Sequence, residues 1–218
     1  MANAYDMSWG DVGVSPTPYF KLDAGRQGNR LRVVSKPSKV LLHWEKDGDG
    51  KLKKIVCPDT NCPICAAGNK PQVRYALLVL DKKGWTKENG YGEEGPKVKL
   101  LETGITVVRG IKDLAVSPLY GDPSKYDLLI KKEGSGRDTK YTVLADPEKS
   151  ELTAEEKEAI SDAQHVSDIE KESSAEEILA MNLACLGGTA SEVGSAPAAA
   201  PAAKGGNATT ADDDWNSF

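Results

Sequence analysis

Hydrophobic and polar residues alternate in short runs through the first two thirds of the chain. Leu31 and Val33 alternate with Arg30 and Arg32, a pattern typical of a strand with one buried face and one basic face. Residues 73–80 form the most apolar run and predict a central strand. The other runs predict strands at residues 19–22, 29–35, 39–44, 97–102, 126–132 and 138–145.

One helix is predicted between these strands, over residues 104–115, where apolar side chains recur every three or four positions. We expect Thr103 to cap its N-terminus and Pro118 to end it. Its apolar stripe consists of Ile105, Val108, Ile111 and Leu114. After residue 150, two capping-box sequences predict two short helices, Thr153 with Glu156 and Ser174 with Glu177.

Five or more short strands with a helix before the last hairpin predict a mainly β chain with short helices, and specifically a small Greek-key barrel of the oligonucleotide-binding (OB) type. After the barrel, the chain becomes rich in Ala, Pro, Gly and Ser and cannot offset the entropy of ordering. The predicted regions are an N-terminal arm (1–18), an OB-fold core (19–149) with a zinc-binding insertion (43–70), C-terminal helices (150–186), a flexible linker (187–211) and an acidic aromatic tip (212–218).

Four candidate metal ligands lie close together in the sequence: His43, Cys57, Cys62 and Cys65. Cys62 and Cys65 form a Cys-x2-Cys turn that presents two thiolates from one loop, while Cys57 and His43 are expected to complete a tetrahedral shell from flanking strand ends. A filled shell leaves no position for water. The sequence therefore predicts one structural zinc ion rather than a catalytic one.

Other interpretations of these residues stay open. The segment from Cys62 to Cys65 could be a redox dithiol, although that motif belongs at a helix N-terminus within a βαβ unit. The thiols could also be incidental, and His43 could be a packed core residue of an apolar strand. Cys185 follows apolar helix positions and is expected to be a packed thiol rather than a ligand.

The net charge of the chain is divided unevenly. Residues 1–150 carry 25 Lys and Arg against 19 Asp and Glu, a net charge of +6, whereas residues 151–218 carry 3 against 14, a net charge of −11. This division suggests that the core meets an anion and that the tail meets a basic partner. A solvated surface with a solubilising tail explains the charges equally well.

Binding of a single strand by an OB fold requires basic side chains along a groove and aromatic rings on which bases stack. Both kinds of residue are interleaved along the predicted strands and loops. The candidate contacts are Arg30, Arg32, Trp44, Lys53, Lys54, Arg74, Tyr75, Trp85, Tyr91, Lys97, Lys99, Lys131, Lys132, Arg137 and Tyr141. Trp85 and Tyr91 lie in a glycine-rich polar loop, which favours their exposure, while the other aromatic residues could belong to the core.

Over roughly residues 19–183, the chain resembles the single-stranded DNA-binding (helix-destabilising) proteins of tailed phages, of the T-even type. The resemblance is carried by the zinc set, the strands at 75–81 and 126–132, and the segment 97–114. It implies an OB barrel with a zinc-bearing subdomain that coats and protects single-stranded DNA, without strong sequence preference, during phage DNA replication, recombination and repair. It also implies the cytoplasm of the infected bacterial host.

Two features depart from the T-even pattern. Residues 1–20 contain no Lys or Arg, whereas the T-even protein has a basic arm that drives cooperative binding. The resemblance therefore does not imply cooperative binding through a basic N-terminal arm. Self-association on DNA stays open. The C-terminal tip is similar to the acidic, Phe-terminated tip of bacterial single-stranded DNA-binding proteins, so we expect it to recruit replication and recombination proteins. Its partner-binding residues are Asp212, Asp213, Asp214, Trp215 and Phe218.

No sequence feature predicts an enzyme, because the chain has no nucleotide-binding glycine loop, paired-histidine metal motif or Ser/His/Asp grouping. The main alternative function is a zinc-stabilised OB-fold adaptor that binds protein rather than nucleic acid. A metal-dependent nuclease ranks lower, since it would need carboxylates clustered at an open site. Mean hydropathy is −0.46, and neither a membrane-length apolar run nor a secretory signal is found.

Overall fold

The computed structural model describes residues 19–187 except 26–27, 84, 87–89, 92–94, 147–150 and the side chain of Arg137. The strands are β1 (Asn29–Val33), β2 (Ser38–Lys46), β3 (Leu52–Val56), β4 (Gln72–Asp81), β5 (Lys97–Thr103), β6 (Leu128–Glu133) and β7 (Lys140–Ala145). The α-helices are α1 (Pro63–Ala66), α2 (Ile105–Val116), α3 (Ala154–Ser161), α4 (Val166–Ile169) and α5 (Ala175–Ala180), with 3-10 turns at Pro123–Lys125, Gly136–Asp138 and Ala184–Leu186. The predicted N-terminal arm, the acidic tip and all but the first residue of the predicted linker lie outside the described residues.

The seven strands form one antiparallel sheet in the order β3-β2-β4-β1-β6-β7, and β5 pairs with the other edge of β4. The long strand β4 organises this arrangement. One of its edges pairs with β5 from Tyr75–Thr103 to Asp81–Lys97, while the other edge is shared by β2 and β1. Among the described residues, β5 pairs with β4 and β7 pairs with β6, and no pairing joins β5 to β7.

The inner face of the sheet carries the largest core. Side chains at alternate positions of β1, β4, β5 and β6 pack there with α2, and the buried members include Leu31, Val33, Leu77, Leu101 and Ile111. Helix α2 packs closely on β7, because a Cβ on Gly110 would lie 2.8 Å from Cγ2 of Val143. A side chain at position 110 would push the helix off the strand, which explains a glycine inside an otherwise regular helix.

The outer face of the same sheet is covered by the C-terminal segment. Val40, Leu42, Ala76, Leu78 and Leu100 form a second buried cluster on this face, against which Ala163, Val166 and Ile169 pack. Two capping boxes start the helices of this segment. Thr153 and Glu156 cap α3, and Ser174 and Glu177 cap α5, as predicted.

The prediction of a mainly β chain with few short helices is confirmed. Strand β3 is not among the predicted strands, because adjacent Lys53 and Lys54 interrupt its alternation. The prediction of a strand at 19–22 is wrong, since only an isolated bridge from Tyr19 to Leu100 is present there. None of the helices in the described part of the chain is long and apolar enough to cross a membrane.

Two details of α2 also differ from the prediction. Gly104, not Thr103, is its N-cap residue, and no side chain caps the helix. Ile105 is 40% exposed, whereas Val107 and Val108 are buried. The apolar stripe therefore starts two residues later than predicted, and Thr103 remains part of β5.

Candidate metal centre and nucleic-acid-binding residues

The four predicted metal ligands converge from three elements. His43 lies in β2 opposite Ile55 of β3, and Cys57 follows the end of β3 directly. Cys62 is the N-cap residue of α1, and Cys65 lies within that short helix. The β2–β3 hairpin and the loop after it therefore bring one imidazole and three thiols to the same place.

The spacing of the four ligand atoms suits a tetrahedral metal ion. Nε2 of His43 lies 3.5 Å from Sγ of Cys62 and 3.4 Å from Sγ of Cys65, and the Sγ atoms of Cys57 and Cys65 are 3.6 Å apart. All four atoms lie within 4.8 Å of one another. A tetrahedral ion with bonds of about 2.0–2.3 Å would hold such atoms about 3.6–3.8 Å apart. The set could therefore bind one metal ion.

Burial sets the protonation of these ligands. His43 is 2% exposed, and this burial lowers the pKa of its imidazole despite the opposing charge of Glu45, which keeps a neutral nitrogen available for coordination. Burial raises the pKa of the Cys57 thiol to about 12. Burial would also raise the pKa of Cys62, but hydrogen bonds from the backbone of Cys65 and from neighbouring thiols lower it overall. Metal binding would displace protons from these thiols.

The loop from Cys57 to Cys62 contains two residues with left-handed backbone conformation, Asp59 (φ 60°) and Asn61 (φ 57°). Asp and Asn tolerate this conformation better than most residues. The backbone N–H of Asp59 donates to Sγ of Cys57 over 3.4 Å. The tolerance of Asp59 and Asn61 for the left-handed conformation therefore favours this turn. The turn directs the thiols toward one another.

Cys62 stands at a helix N-terminus, which the sequence analysis did not anticipate. The helix has four residues, and the surrounding sheet is antiparallel throughout the described residues, so the βαβ context of a redox dithiol is not present around it.

A small second core surrounds the candidate metal centre. Ile55, Ile64, Ile178 and Leu183 are buried against the cysteines, and α5 packs beside α1. Cys185 borders this cluster but does not belong to the group of candidate ligands, as predicted for a packed thiol. The candidate centre therefore joins the β2–β3 hairpin to the C-terminal segment.

On the outer face, several predicted DNA contacts take part in a buried ionic network instead of lying open. Asp127 is 0% exposed and accepts from Nε of Arg32 at 2.7 Å, from Arg30 at 3.0 Å and from Lys82 at 3.5 Å. Arg32 is itself 1% exposed. Three cations therefore share one buried carboxylate at the centre of the network.

The C-terminal segment completes this network with Glu156 of α3. Its carboxylate, 1% exposed, lies 2.9 Å from Nζ of Lys82 and accepts a hydrogen bond from the Tyr91 hydroxyl. Burial opposes ionisation of Glu156, but the bonds from Tyr91, Lys82 and Thr153 outweigh it and lower its pKa. Arg30 and Lys82 lie over the half-buried Trp85 ring, 4.8 and 4.9 Å from its centroid.

A second ionic group on the outer face involves Lys54 and Arg74. Lys54 lies 2.6 Å from Glu102 and 2.6 Å from the buried Glu170, and Arg74 donates to Glu102 over 3.2 Å. Tyr19 also donates to Glu170. Both Glu156 and Glu170 belong to the acidic C-terminal segment, so this segment supplies anions to both ionic groups.

The remaining candidates are more accessible or lie apart. Trp44 is 46% exposed, and the Lys53 side chain is 50% exposed. Lys97 is exposed, and Lys99 pairs with Asp81 at 2.7 Å. Four other candidates are half-buried: Tyr75, Lys131, Lys132 and Tyr141. The side chain of Arg137 lies outside the described residues.

The structure thus brings the candidates together in groups rather than along one continuous track. Arg30, Arg32, Trp85 and Tyr91 form the first group, and Trp44 with Lys54 forms another on the β2–β3 hairpin. Sequence reasoning missed the partners of the first group, which are Lys82, Asp127 and Glu156. Two of these partners could have been noticed in the sequence. Lys82 is a charged residue directly after the apolar strand β4, and Asp127 is one directly before β6.

The distinctive features of the described residues are the candidate metal centre, the exposed Trp44 and the acidic C-terminal segment on the outer face. No protein-family model, curated protein or solved structure matches the chain.

Proposed function

We propose that this chain is a single-stranded DNA-binding protein that coats and protects DNA without strong sequence preference. The setting is the replication, recombination and repair of phage DNA in the cytoplasm of a bacterial host. The observation that carries the proposal is an exposed tryptophan, Trp44, which shares its face of the β2–β3 hairpin with the exposed Lys46.

The strand connectivity supports an OB-type barrel. Strand β1 lies between β4 and β6 in the sheet, β5 pairs with β4, and β7 pairs with β6. Helix α2 lies between β5 and β6 in the chain. A five-stranded, partly open Greek-key barrel with a helix before its last two strands has this arrangement. The β2–β3 hairpin and the metal loop would then be an insertion between the first two barrel strands.

We infer that the metal is zinc. Three thiolates and one imidazole at tetrahedral spacing are the donors that zinc favours, and four protein ligands leave no open position. Zinc bound here would be structural: His43 would fix β2 from one side while the adjacent Trp44 faces the other. The centre would therefore hold the hairpin that presents the tryptophan.

Trp44 has the surroundings of a stacking platform. It pairs with Lys54 across the hairpin and shares its face with Lys46, which is exposed. An exposed indole beside the exposed Lys46 suits a nucleobase and a flanking phosphate, whereas the Lys54 ammonium is already bound to Glu102 and Glu170. Trp85, by contrast, already has two cations over its ring, so a base could stack on it only by displacing one of them.

We expect Trp44→Ala to weaken binding of a labelled oligo-dT by roughly 5- to 150-fold, because a stacked base contributes about 1–3 kcal/mol. Fluorescence anisotropy measures the affinity. The melting temperature should change little, because the side chain is 46% exposed. Trp44→Phe is the matched control and should retain most of the affinity, since it keeps an aromatic ring. Unchanged binding by Trp44→Ala would remove this residue from the interface.

A protein-binding adaptor is the second candidate, and one observation favours it. A mostly apolar cavity of about 540 Å³ lies between α2 and the β1–β2 connection, lined by Val33, Leu77, Val108 and Ile111 among others. Val116 and Leu119, at the end of α2 and just after it, are 55% and 78% exposed. Exposed apolar surface of this kind is typical of protein contacts. Absence of any binding to single strands would favour this alternative.

The recruiting role of the C-terminal tip belongs to the same proposal. Its support is the sequence alone, three aspartates followed by Trp215 and the terminal Phe218, and these residues lie outside the part of the chain that the structure describes. Replication and recombination proteins with a basic-rimmed apolar pocket are the partners that such a tip would suit. Self-association on DNA also remains part of the proposal.

A further inference from the structure

The mostly apolar cavity between α2 and the β1–β2 connection has a volume of about 540 Å³, which is within the usual size range of ligand pockets. Leu77 of β4 and one side of α2, with Val108 and Ile111, form part of its wall. Ala115, near the end of α2, also lines the cavity and is half-buried. A side chain that fills this cavity must therefore be large and mainly apolar.

Positive charge predominates in the lining of this cavity. Lys36 and Lys112 belong to the lining, the first exposed and the second half-buried. Asp122 is the acidic residue of the lining, and its carboxylate accepts from the N–H of Ser124 at the start of a 3-10 turn. The exposed Lys125 ends that turn, directly after Ser124. The charge of the lining and its border therefore favours an acidic segment next to the apolar group.

The acidic tip of this chain, residues 212–218, has the matching chemistry and lies outside the described residues. Its sequence places three aspartates directly before Trp215, and Phe218 follows three residues later. Aromatic side chains remove a large apolar area from water when they enter a pocket. Carboxylates beside such a pocket are attracted by its lysines. The tip therefore combines the apolar group and the negative charge that the cavity favours.

The chain between the fold and the tip is long enough to reach the cavity. Leu183 forms a bridge with Asp47 just beyond the end of β2, and the described residues end soon afterwards at Gly187. The cavity lies at the other end of β2, a strand of nine residues or about 30 Å. A coil of about 24 residues, such as 188–211, spans about 25–30 Å on average. A linker whose average length matches the span gives the highest effective concentration of the tethered segment.

We propose that residues 212–218 dock in this cavity of the same chain, with Trp215 against the apolar wall and the aspartates beside Lys36 and Lys112. The docked tip is withheld from other proteins, which must compete with the cavity for it. This regulatory consequence rests on the proposed recruiting function. The contact itself needs no DNA, so it can fail while single-strand binding stands, and it can stand while single-strand binding fails.

Fluorine NMR of the full chain labelled with 5-fluorotryptophan, without DNA, tests the contact. The chain has four tryptophans, and the Trp215 resonance is the one that Trp215→Phe removes. We expect this resonance to be displaced from that of a labelled synthetic peptide of residues 209–218. Ala115→Leu fills the cavity and should return the resonance to the peptide position. Val116→Leu is the matched control and should leave it displaced, because Val116 is 55% exposed and outside the lining.

Lys36→Glu serves as a second variant and should also move the Trp215 resonance toward the peptide position, most at low salt, since it places like charge beside the aspartates. The resonances of Trp44 and Trp85 report whether each variant keeps its fold. Docking in this cavity is refuted if the wild-type Trp215 resonance coincides with that of the free peptide, or if it stays displaced in a folded Ala115→Leu chain. A displacement that grows with protein concentration would overturn the intramolecular contact, because the tip would then come from a second copy.

Discussion

Replacing Cys62 by Ser is expected to abolish metal binding and to destabilise the protein by about 4 kcal/mol or more, a fall of the order of 10 °C in melting temperature. The physical reason is that Cys62 belongs to both the candidate ligand set and the small core of Ile55, Ile64, Ile178 and Leu183. Binding of a structural metal is coupled to folding, so the loss of one ligand removes both contributions. Metal analysis and calorimetry of freshly reduced protein measure the two effects.

Cys185→Ser is the matched control for this prediction. Its thiol borders the same core but lies outside the ligand group, so this variant should keep one metal ion per chain and lose only about 1–2 kcal/mol. Wild-type protein that holds no metal would contradict the candidate centre. A His43 variant with full metal content would remove only the histidine from the ligand set.

Replacing Asp127 by Asn is expected to destabilise the fold by about 3–5 kcal/mol, because it removes the buried carboxylate nearest to the buried Arg32, while Lys82 keeps Glu156. Both cations are at most 2% exposed, so water cannot replace the lost partner. Urea denaturation measures the change in the free energy of unfolding.

Asp23→Asn provides the comparison with an exposed ion pair. The Asp23 carboxylate lies 2.6 Å from Nζ of Lys83, but its side chain is 71% exposed, so the loss should be about 1 kcal/mol or less. If both substitutions lowered the free energy of unfolding equally, the ionic network around Asp127 would not be buried from water.

Much of the fold could be predicted from local pattern. Alternation predicted β1, β4 and β5 to within two residues at either end, and the cysteine spacing predicted a ligand set whose atoms converge. These features depend on neighbouring residues alone, since strand faces follow a period of two and a Cys-x2-Cys turn closes on itself.

The burial of basic residues on the outer face could not be predicted from local pattern. The alternation around Arg30 and Arg32 indicates a solvent-facing side, yet Arg32 is buried and pairs there with Asp127. This partner is 95 residues away in the sequence, so no local pattern reveals it. Burial of Arg32 also changes its expected role from a phosphate contact to a support of the sheet.

The candidate metal centre and the exposed tryptophan are linked through one strand. His43 and Trp44 are adjacent in β2, and their side chains point to opposite faces of the hairpin. A variant that loses the metal should therefore also lose affinity for single strands, because the hairpin that carries Trp44 would no longer be held.

Titration of the wild-type protein with labelled oligo-dT and with a duplex of equal length, at low and at moderate salt, tests single-strand binding directly. We expect tighter binding to the single strand at both salt concentrations, an affinity that falls as the salt concentration rises, and an intact oligonucleotide afterwards. Equal affinity for both DNA forms, no binding to either, or cleavage of the strand would contradict this expectation.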